Sequence, residues 1–540
     1  MNSEYSKVGL YNHNINSYKK VSEALKNNDV AAIVHATGTG KTYNALQLAY
    51  DNKDKKIIYV VPSKGIIEHI TQIIENNPNL DYESDFPNLE FRTYQSFINM
   101  DMEEISSLEV DMLILDEFHH IGAPVWGQRI NTIINTHPNL KVFGMTAYTV
   151  RDRGTIYERD MTNQDKDELF SNKVVSTYDL CDAIIDGVLP KPIYKSAYIN
   201  LIGTEKLIEE KVLSLNANSK EYSEYMSILS DVKKKIQEAP SIADVIKRNI
   251  KPNGKYIYFC PPNSLEGTND IETIQVEAKN WFLEMGLSEE DIIFYTTTSE
   301  MGIEGKKNRE AFYNDTTIEG EKVDKKLRIM FAINQYNEGI HSPNVDGVIM
   351  GRATSSDIVY FEQLGRALSV RGNTKEKYDE YDKYSIDQLL EFCKKRDIQI
   401  KENLPKNEII EKLLAPIVID LTANSDFIRM LEDNLKDRIK EVQNKNSSSN
   451  EKREIKIIDA TFDIEILNED IFEILRYISD KVTISWEEMY EYARKYYEHH
   501  GNLHVTRNFK TNNGYDYAEN GLINLGVWVC GQRQIVIWIL

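Results

Sequence analysis

Two short stretches carry residues whose types and spacing could do chemistry. The first is His35-Ala36-Thr37-Gly38-Thr39-Gly40-Lys41-Thr42. Glycines at this spacing let the backbone curl so that successive N–H groups point at phosphate oxygens. Thr37, Gly38, Thr39 and Gly40 would form such a cradle, Lys41 would reach the β- and γ-phosphates, and the Thr42 hydroxyl would bind magnesium. His35 stands where the pattern usually has its first glycine. The second stretch is Asp116-Glu117-Phe118-His119-His120. Asp116 is suited to hold a magnesium ion, mostly through water. Glu117 is suited to orient and deprotonate an attacking water. An Asp-Glu pair alone would read as a solvated turn. Beside a phosphate loop it reads as the other half of a site for ATP and Mg2+.

The elements around these residues must hold them in place. Val30–Val34 is a β-branched apolar run and Tyr43–Tyr50 a helical segment, so strand, glycine loop and helix follow in the order a phosphate loop needs. Val110–Leu115 is a second buried-strand run that ends at Asp116. Lys56–Val61 and Val142–Ala147 are further strands. Alternating strands and helices predict a doubly wound parallel sheet. A second series opens at Lys255–Phe259 with no second phosphate loop, continues through Arg328–Asn334, and has Ile417–Leu421 as its last strand.

Taken together and in order, Ala-Thr-Gly-Thr-Gly-Lys-Thr and Asp-Glu-Phe-His resemble the superfamily-two DExH-box helicases, with the flavour of the restriction-type DNA translocases. The resemblance covers most of the first four hundred residues. It implies an α/β fold of two RecA-like doubly wound parallel-sheet lobes plus a small helical C-terminal domain, with ATP between the lobes. It implies nucleic-acid contacts at Pro62, Ser63 and Lys64, at Thr93, Tyr94, Gln95 and Ser96, and at Asn334. Thr146 and His119 would couple nucleotide state to strand binding. Gly339 lies in a loop that touches ATP, and Arg366, in Gln363-Leu364-Gly365-Arg366, would be the arginine finger. Several positions depart from the family pattern: Tyr148-Thr149 follows Thr146-Ala147, His341 replaces an aspartate, Glu362 a glutamine, and Ser369 an arginine for which Arg371 could stand in. Asn14 sits where an adenine-reading glutamine often lies, and an ordinary amphipathic helix fits that segment equally.

The boundaries expected are 1–190 for the first lobe, 191–250 for a helical bridge, 251–425 for the second lobe, 426–480 for a helical and polar linker, and 481–540 for the C-terminal module. The second lobe carries an insertion at 384–415 made of helix, extended loop and helix, which resembles a SAP-type DNA-binding motif; a plain helical hairpin is the other reading. Ser485-Trp486-Glu487-Glu488 opens a helix with a capping box, with Trp486, Tyr490, Ala493 and Tyr497 on one face. That helix, with Leu525–Val529 and Gly531-Gln532-Arg533, resembles a helicase-associated domain, here partial.

Composition limits the alternatives. A length of 540 residues predicts several domains, and 41% hydrophobic residues are ample for their cores. A net charge of −21 excludes a protein that coats nucleic acid over its whole surface, though not one with a local basic groove. Cys181, Cys260, Cys393 and Cys530 have no metal-ligand spacing and suggest no disulfide framework. Met1–Tyr5 lacks the basic and apolar regions of a signal peptide and no run approaches a membrane span, so a cytoplasmic protein is expected, with no membrane partner. The expected partner is nucleic acid, DNA ahead of RNA. With no nuclease motif in the chain, a protein partner would supply cleavage or targeting. The other classes are a nucleic-acid-binding ATPase switch that does not move along a strand, and a non-catalytic scaffold with a decayed site.

Overall fold

The computed structural model describes residues 6–529 except 152–158, 167, 197–200, 216, 240, 262–270, 299–300, 324, 334–341, 343, 353, 355, 369–373, 397, 399, 401–403, 423–424, 449–452, 458–460, 468, 483–485, 501, 507–508, 512–514, 518–524 and 527–528. Two compact units emerge: residues 1–197 with 242–466, and residues 198–241 with 467–540.

The first unit holds two parallel sheets. Strands β1 (Val30–His35), β2 (Ile57–Val61), β3 (Leu89–Thr93), β4 (Met112–Asp116) and β5 (Lys141–Thr146) are followed by a short antiparallel pair, β6 (Val150–Arg151) with β7 (Arg159–Asp160), and by β8 (Val174–Tyr178). The large sheet runs β3-β2-β4-β5-β1-β8, parallel throughout. Every residue of β2 and β4 is buried, as strands covered by helices on both faces require. The order sets β4, β5 and β1 side by side. Asp116, Thr146 and the loop after His35 therefore share one carboxyl edge, where ligands bind in open α/β sheets.

The second sheet is built from β9 (Ile193–Ser196), β10 (Lys255–Phe259), β11 (Ile292–Thr298), β12 (Leu327–Ile333), β13 (Gly347–Met350), β14 (Ile417–Asp420) and β15 (Asp463–Ile466), in the order β11-β12-β10-β13-β14-β9-β15. It too is parallel throughout. Both sheets are RecA-like doubly wound lobes.

This sheet departs from the sequence reading in two places. Ile193–Ser196, read with a helical bridge, is a strand beside β14, and Ile417–Asp420 is not the last strand. Asp463-Ile464-Glu465-Ile466 alternates with period two and adds β15 at the edge. Lys195, 1% exposed, fastens that edge: its Nζ lies 3.3 Å from Asp463 and 2.9 Å from Glu465. Asn444–Ser448, read as part of a linker, extends the helix Asp426–Ser448, which buries Ile428, Leu431 and Leu435. The Asn446 amide then pairs with the Arg453 backbone, donating to its carbonyl at 2.7 Å and accepting from its N–H at 2.8 Å. Arg453 in turn bonds Asp182 and Asp186 on the first lobe's last helical segment, at 2.8 and 2.9 Å.

Lys255 opens β10 with a fully buried side chain, 2.9 Å from Asp315. Burial pushes its pKa down to about 8 although Asp315 opposes this. The unfolded lysine keeps its proton to about 10.5, so this residue costs stability at neutral pH. The cost fades as pH rises from about 8 to 10.5. Arg328 also bonds Asp315, at 2.7 Å, so the carboxylate keeps a partner without the lysine. Lys255→Met is expected to be at least as stable as the wild type at pH 7 in urea unfolding, with the difference shrinking toward pH 10. A mutant clearly less stable at pH 7 would contradict this.

The second unit is helical. Helices Leu201–Leu213, Lys220–Glu238 and Glu469–Val482 share a core of Ile208, Val212, Leu229, Val232, Ile471, Leu475 and Ile478. The spacing 471, 475, 478 is one helix face, so Glu469–Val482 is a packed element and not a linker. Helix Trp486–His500 buries Met489, Ala493 and Tyr496 against Val505, Leu525 and Val529. The predicted face is thus rotated: Tyr490 and Tyr497 are exposed, and Met489 and Tyr496 take the core, with Ala493 common to both. Residues 530–540 lie outside the described residues. Among the described residues no helix is long and apolar enough to cross a membrane.

Candidate functional site

The loop between β1 and the helix Lys41–Asp51 is held by its own backbone and by the helix Asn12–Asn27. Gly38 and Gly40 both take φ +83°, open to glycine without strain. A Cβ on Gly40 would lie 3.0 Å from Asn14 Nδ2 and from the Tyr11 ring. Thr39 Oγ1 donates to the Ala36 carbonyl at 2.7 Å. From outside the loop, Asn14 Nδ2 donates to the carbonyls of Thr39 and Gly40 at 3.0 and 3.1 Å, and His13 Nε2 meets the Thr39 carbonyl at 2.7 Å. Asn14 is fully buried. From the buried face of this amphipathic helix its amide therefore braces the glycine loop. The sequence signal was a polar residue on the buried face of an amphipathic helix.

Lys41 is 9% exposed. Its Nζ donates to the His35 carbonyl at 3.1 Å and lies 3.6 Å from Glu117 Oε1. His35 contributes that carbonyl, while its ring turns away to Ser176 at 3.0 Å and packs near Tyr178. Burial, then the nearby Lys41 charge, pushes the His35 pKa down to about 3, so the ring is neutral.

Asp116 ends β4, 5% exposed, and its Oδ1 accepts the Glu117 N–H at 3.0 Å. Glu117 turns the chain sharply in the left-handed region, φ +46° and ψ +55°, a conformation costly for a side-chain-bearing residue and concentrated at functional sites. Its Oε2 accepts from Thr146 Oγ1 at 2.8 Å and from Ala147 N–H at 3.3 Å. His119 Nδ1 lies 3.0 Å from the same Thr146 hydroxyl and 3.6 Å from Glu117 Oε2. The single Thr146 hydroxyl proton faces both Glu117 Oε2 and the Tyr148 carbonyl, 2.7 Å away, so Thr146 accepts from His119 Nδ1–H. Burial opposes ionisation of Glu117, but Lys41, His119 and the donors from Thr146 and Ala147 outweigh it and hold the carboxyl below its usual range. Glu117 is a carboxylate at neutral pH, as a base must be.

Of the residues expected on a strand-binding surface, Lys64 and Gln95 are exposed, and Pro62, Ser63, Thr93 and Ser96 partly so. Pro62–Lys64 follow β2, and Thr93 caps the next turn by accepting from Ser96 N–H at 3.3 Å. Tyr94 is different: it is 1% exposed, its ring stacks on Trp126, and its hydroxyl donates to the Asp116 carbonyl at 2.8 Å. Its side chain supports the Asp116 turn and faces away from that surface. Asn334, Gly339, His341, Ser369 and Arg371 lie outside the described residues.

Arg366 lies on the second lobe's helix Asp357–Leu368 and is 3% exposed. That helix comes directly onto the phosphate loop. A Cβ on Gly365 would lie 2.8 Å from Thr37 Cβ, so only glycine permits this approach. His69, on the first lobe's helix Lys64–Glu75, has its pKa pushed down to about 4 by burial and then by the Arg366 charge. Glu68 beside it lies 3.3 Å from Lys306 and 3.6 Å from Arg309 of the second lobe. The two lobes are thus apposed around the loop.

The residues fit a magnesium nucleotide. A buried ammonium faces a phosphate-type loop, two carboxylates lie beside it, and the buried Tyr59 hydroxyl at the same corner has no hydrogen-bond partner among the described residues. Among the described residues no cluster of three or more histidine, cysteine and carboxylate side chains could hold a metal ion.

Residues 7–151 match the family "Type III restriction enzyme, res subunit", and residues 483–535 match "Helicase associated domain". No curated protein matches. Among solved structures, the ATP-dependent Type ISP restriction-modification enzyme LlaBIII bound to DNA is similar at 15% identity and TM-score 0.48, over 91% of this chain and 34% of that one. The Escherichia coli DEAH/RHA helicase HrpB is similar at 13% and 0.41, over 76% and 43%. A fragment of a putative HsdR subunit of a type I restriction enzyme from Vibrio vulnificus YJ016 is similar at 17% and 0.41, over 76% and 65%. The chain therefore spans about a third of the LlaBIII chain. Through its res-subunit segment and its helicase-associated domain, the chain is similar to the restriction-type superfamily-two helicases.

Proposed function

We propose that the chain couples ATP hydrolysis to movement along nucleic acid, DNA rather than RNA, as a translocase or helicase. The observation that carries this reading is the approach of the helix bearing Gly365 and Arg366 to Thr37, at the edge where Lys41, Thr42, Asp116 and Glu117 converge. Lys41 and the loop N–H groups would bind the phosphates, and Thr42 and Asp116 would hold magnesium. Bound magnesium would supply positive charge against the charge that develops on the phosphates. Glu117 takes the proton of the attacking water, and Arg366 neutralises charge from the second lobe. Thr146 and His119 tie the Glu117 carboxylate to the β5 edge, so a change at the nucleotide is felt there. Lys64, Ser63, Thr93, Gln95 and Ser96 suit phosphate contacts, which position a strand without reading its sequence.

DNA is favoured by the res-subunit match and by the hairpin at 384–415. Its helices Ile386–Lys395 and Lys406–Leu414 bury Leu389, Cys393, Ile409, Ile410 and Leu413. Arg396 donates to the Leu413 carbonyl at 2.7 Å and so closes the hairpin. Lys395 and Lys406 form exposed pairs with Glu391 and Asp382 at 2.8 and 3.0 Å, and such pairs are weak enough to exchange for phosphate. Replacing Lys394, Lys395 and Lys406 with glutamine is expected to weaken DNA binding and to flatten its salt dependence by up to about three counterions. ATP hydrolysis without DNA should be unchanged. Equal affinity across a salt titration would leave the hairpin as a spacer or protein-docking element. Cleavage of DNA would need a partner protein.

Displacement of a third strand from a DNA triplex tests the reading. The wild type is expected to displace it with ATP and the Lys41→Ala variant to fail. ATP turnover without displacement would instead make the protein a nucleotide-driven switch. Loss of both nucleotide binding and displacement would make it a scaffold.

A further inference from the structure

Tyr59 lies in the middle of β2, opposite Ile114 of β4 and Phe91 of β3. Alternation puts Ile114 and Asp116 on the same face of β4, so Tyr59 shares the face from which Asp116 projects. The residue is fully buried, and among the described residues no donor or acceptor meets its hydroxyl in hydrogen-bonding geometry. A tyrosine in the middle of an otherwise aliphatic strand, Ile57-Ile58-Tyr59-Val60-Val61, has a simpler apolar alternative in phenylalanine. Leaving its hydroxyl buried and unmatched costs free energy, which calls for a partner that arrives with the ligand.

The groups that act on this hydroxyl are those of the nucleotide corner. Burial raises its pKa well above the usual value, and the charges of Asp116 and Glu117 raise it further, with Thr42 close enough to oppose them slightly. A phenol that keeps its proton still offers its oxygen as an acceptor. Tyr94 does not compete for this role, because its hydroxyl is given to the Asp116 carbonyl.

We propose that Tyr59 is a positioning residue for the magnesium of the bound nucleotide, its hydroxyl oxygen accepting from a water of the ion's shell beside Thr42 and Asp116. The inference rests on the nucleotide site proposed above. Outer-shell partners of this kind orient the groups that hold an ion, and their loss costs about 10- to 100-fold in metal affinity.

The test is Tyr59→Phe, which removes one oxygen and keeps the ring. Binding of a fluorescent ATP analogue is measured against magnesium concentration and again in EDTA, with the melting temperature of the ligand-free protein alongside. The expected result is a magnesium midpoint raised about tenfold, unchanged affinity in EDTA, and a ligand-free melting temperature equal to the wild type or higher. An unchanged midpoint would overturn the inference while wild-type binding, lost in Lys41→Ala, keeps the nucleotide site. A lower melting temperature with equal losses in magnesium and in EDTA would mark the hydroxyl as structural and also overturn it. A wild type that binds no nucleotide would remove both.

Discussion

Glu117→Gln is expected to bind ATP normally and to lose about a hundred- to ten-thousandfold in turnover, the range a positioned general base contributes. The amide keeps the shape that accepts from Thr146 and Ala147, so the fold and the left-handed turn survive. What is lost is the ability to take the water's proton. The carboxylate also faces Lys41 at 3.6 Å and His119 at 3.6 Å. Removing its charge relieves Lys41 of a competitor for phosphate, so nucleotide affinity should stay level or rise. Single-turnover hydrolysis separates these effects from product release. A variant with wild-type turnover would mean that another group activates the water.

Arg366→Ala is expected to lower turnover by about a thousandfold or more, with little change in nucleotide affinity. The side chain comes from the second lobe and is needed once charge builds on the phosphate. Gly365 lets its helix reach Thr37, so Gly365→Ala should mimic much of the same loss by holding the lobes apart. Near-normal turnover in Arg366→Ala would pass the role to another arginine, with Arg371 the first to replace.

The parallel lobes were legible because their strands are short, β-branched and buried on both faces, and because Gly38, Gly40 and Lys41 mark where a strand gives way to a helix. Elements lost in the reading were those whose partners lie far off in the chain. β9 pairs with β14 and β15 across more than two hundred residues, and no local pattern announces that. Helix Glu469–Val482 packs on helices that begin at Leu201, so its apolar face reads alone as an ordinary linker helix. At the site, side-chain direction was the hidden quantity. Tyr94 falls in a polar motif, yet the fold turns its ring onto Trp126 and its hydroxyl to Asp116. Asn14 reads as a ligand contact by position, but its amide is taken by the carbonyls of Thr39 and Gly40. The helix Trp486–His500 shows the same limit. Tyrosine is at home in a core or in water, and the choice between Tyr490 and Tyr496 as the buried residue is made by Met489 and Ala493.

The central claim is that this edge of the first sheet hydrolyses ATP in response to nucleic acid. Steady-state ATP turnover by the full chain, alone and with single-stranded DNA, duplex DNA or RNA, tests it directly. Turnover is expected to depend on magnesium, to be stimulated more by DNA than by RNA, and to be abolished in Lys41→Ala. Turnover absent with every nucleic acid, or present and unaffected by Lys41→Ala, would contradict it.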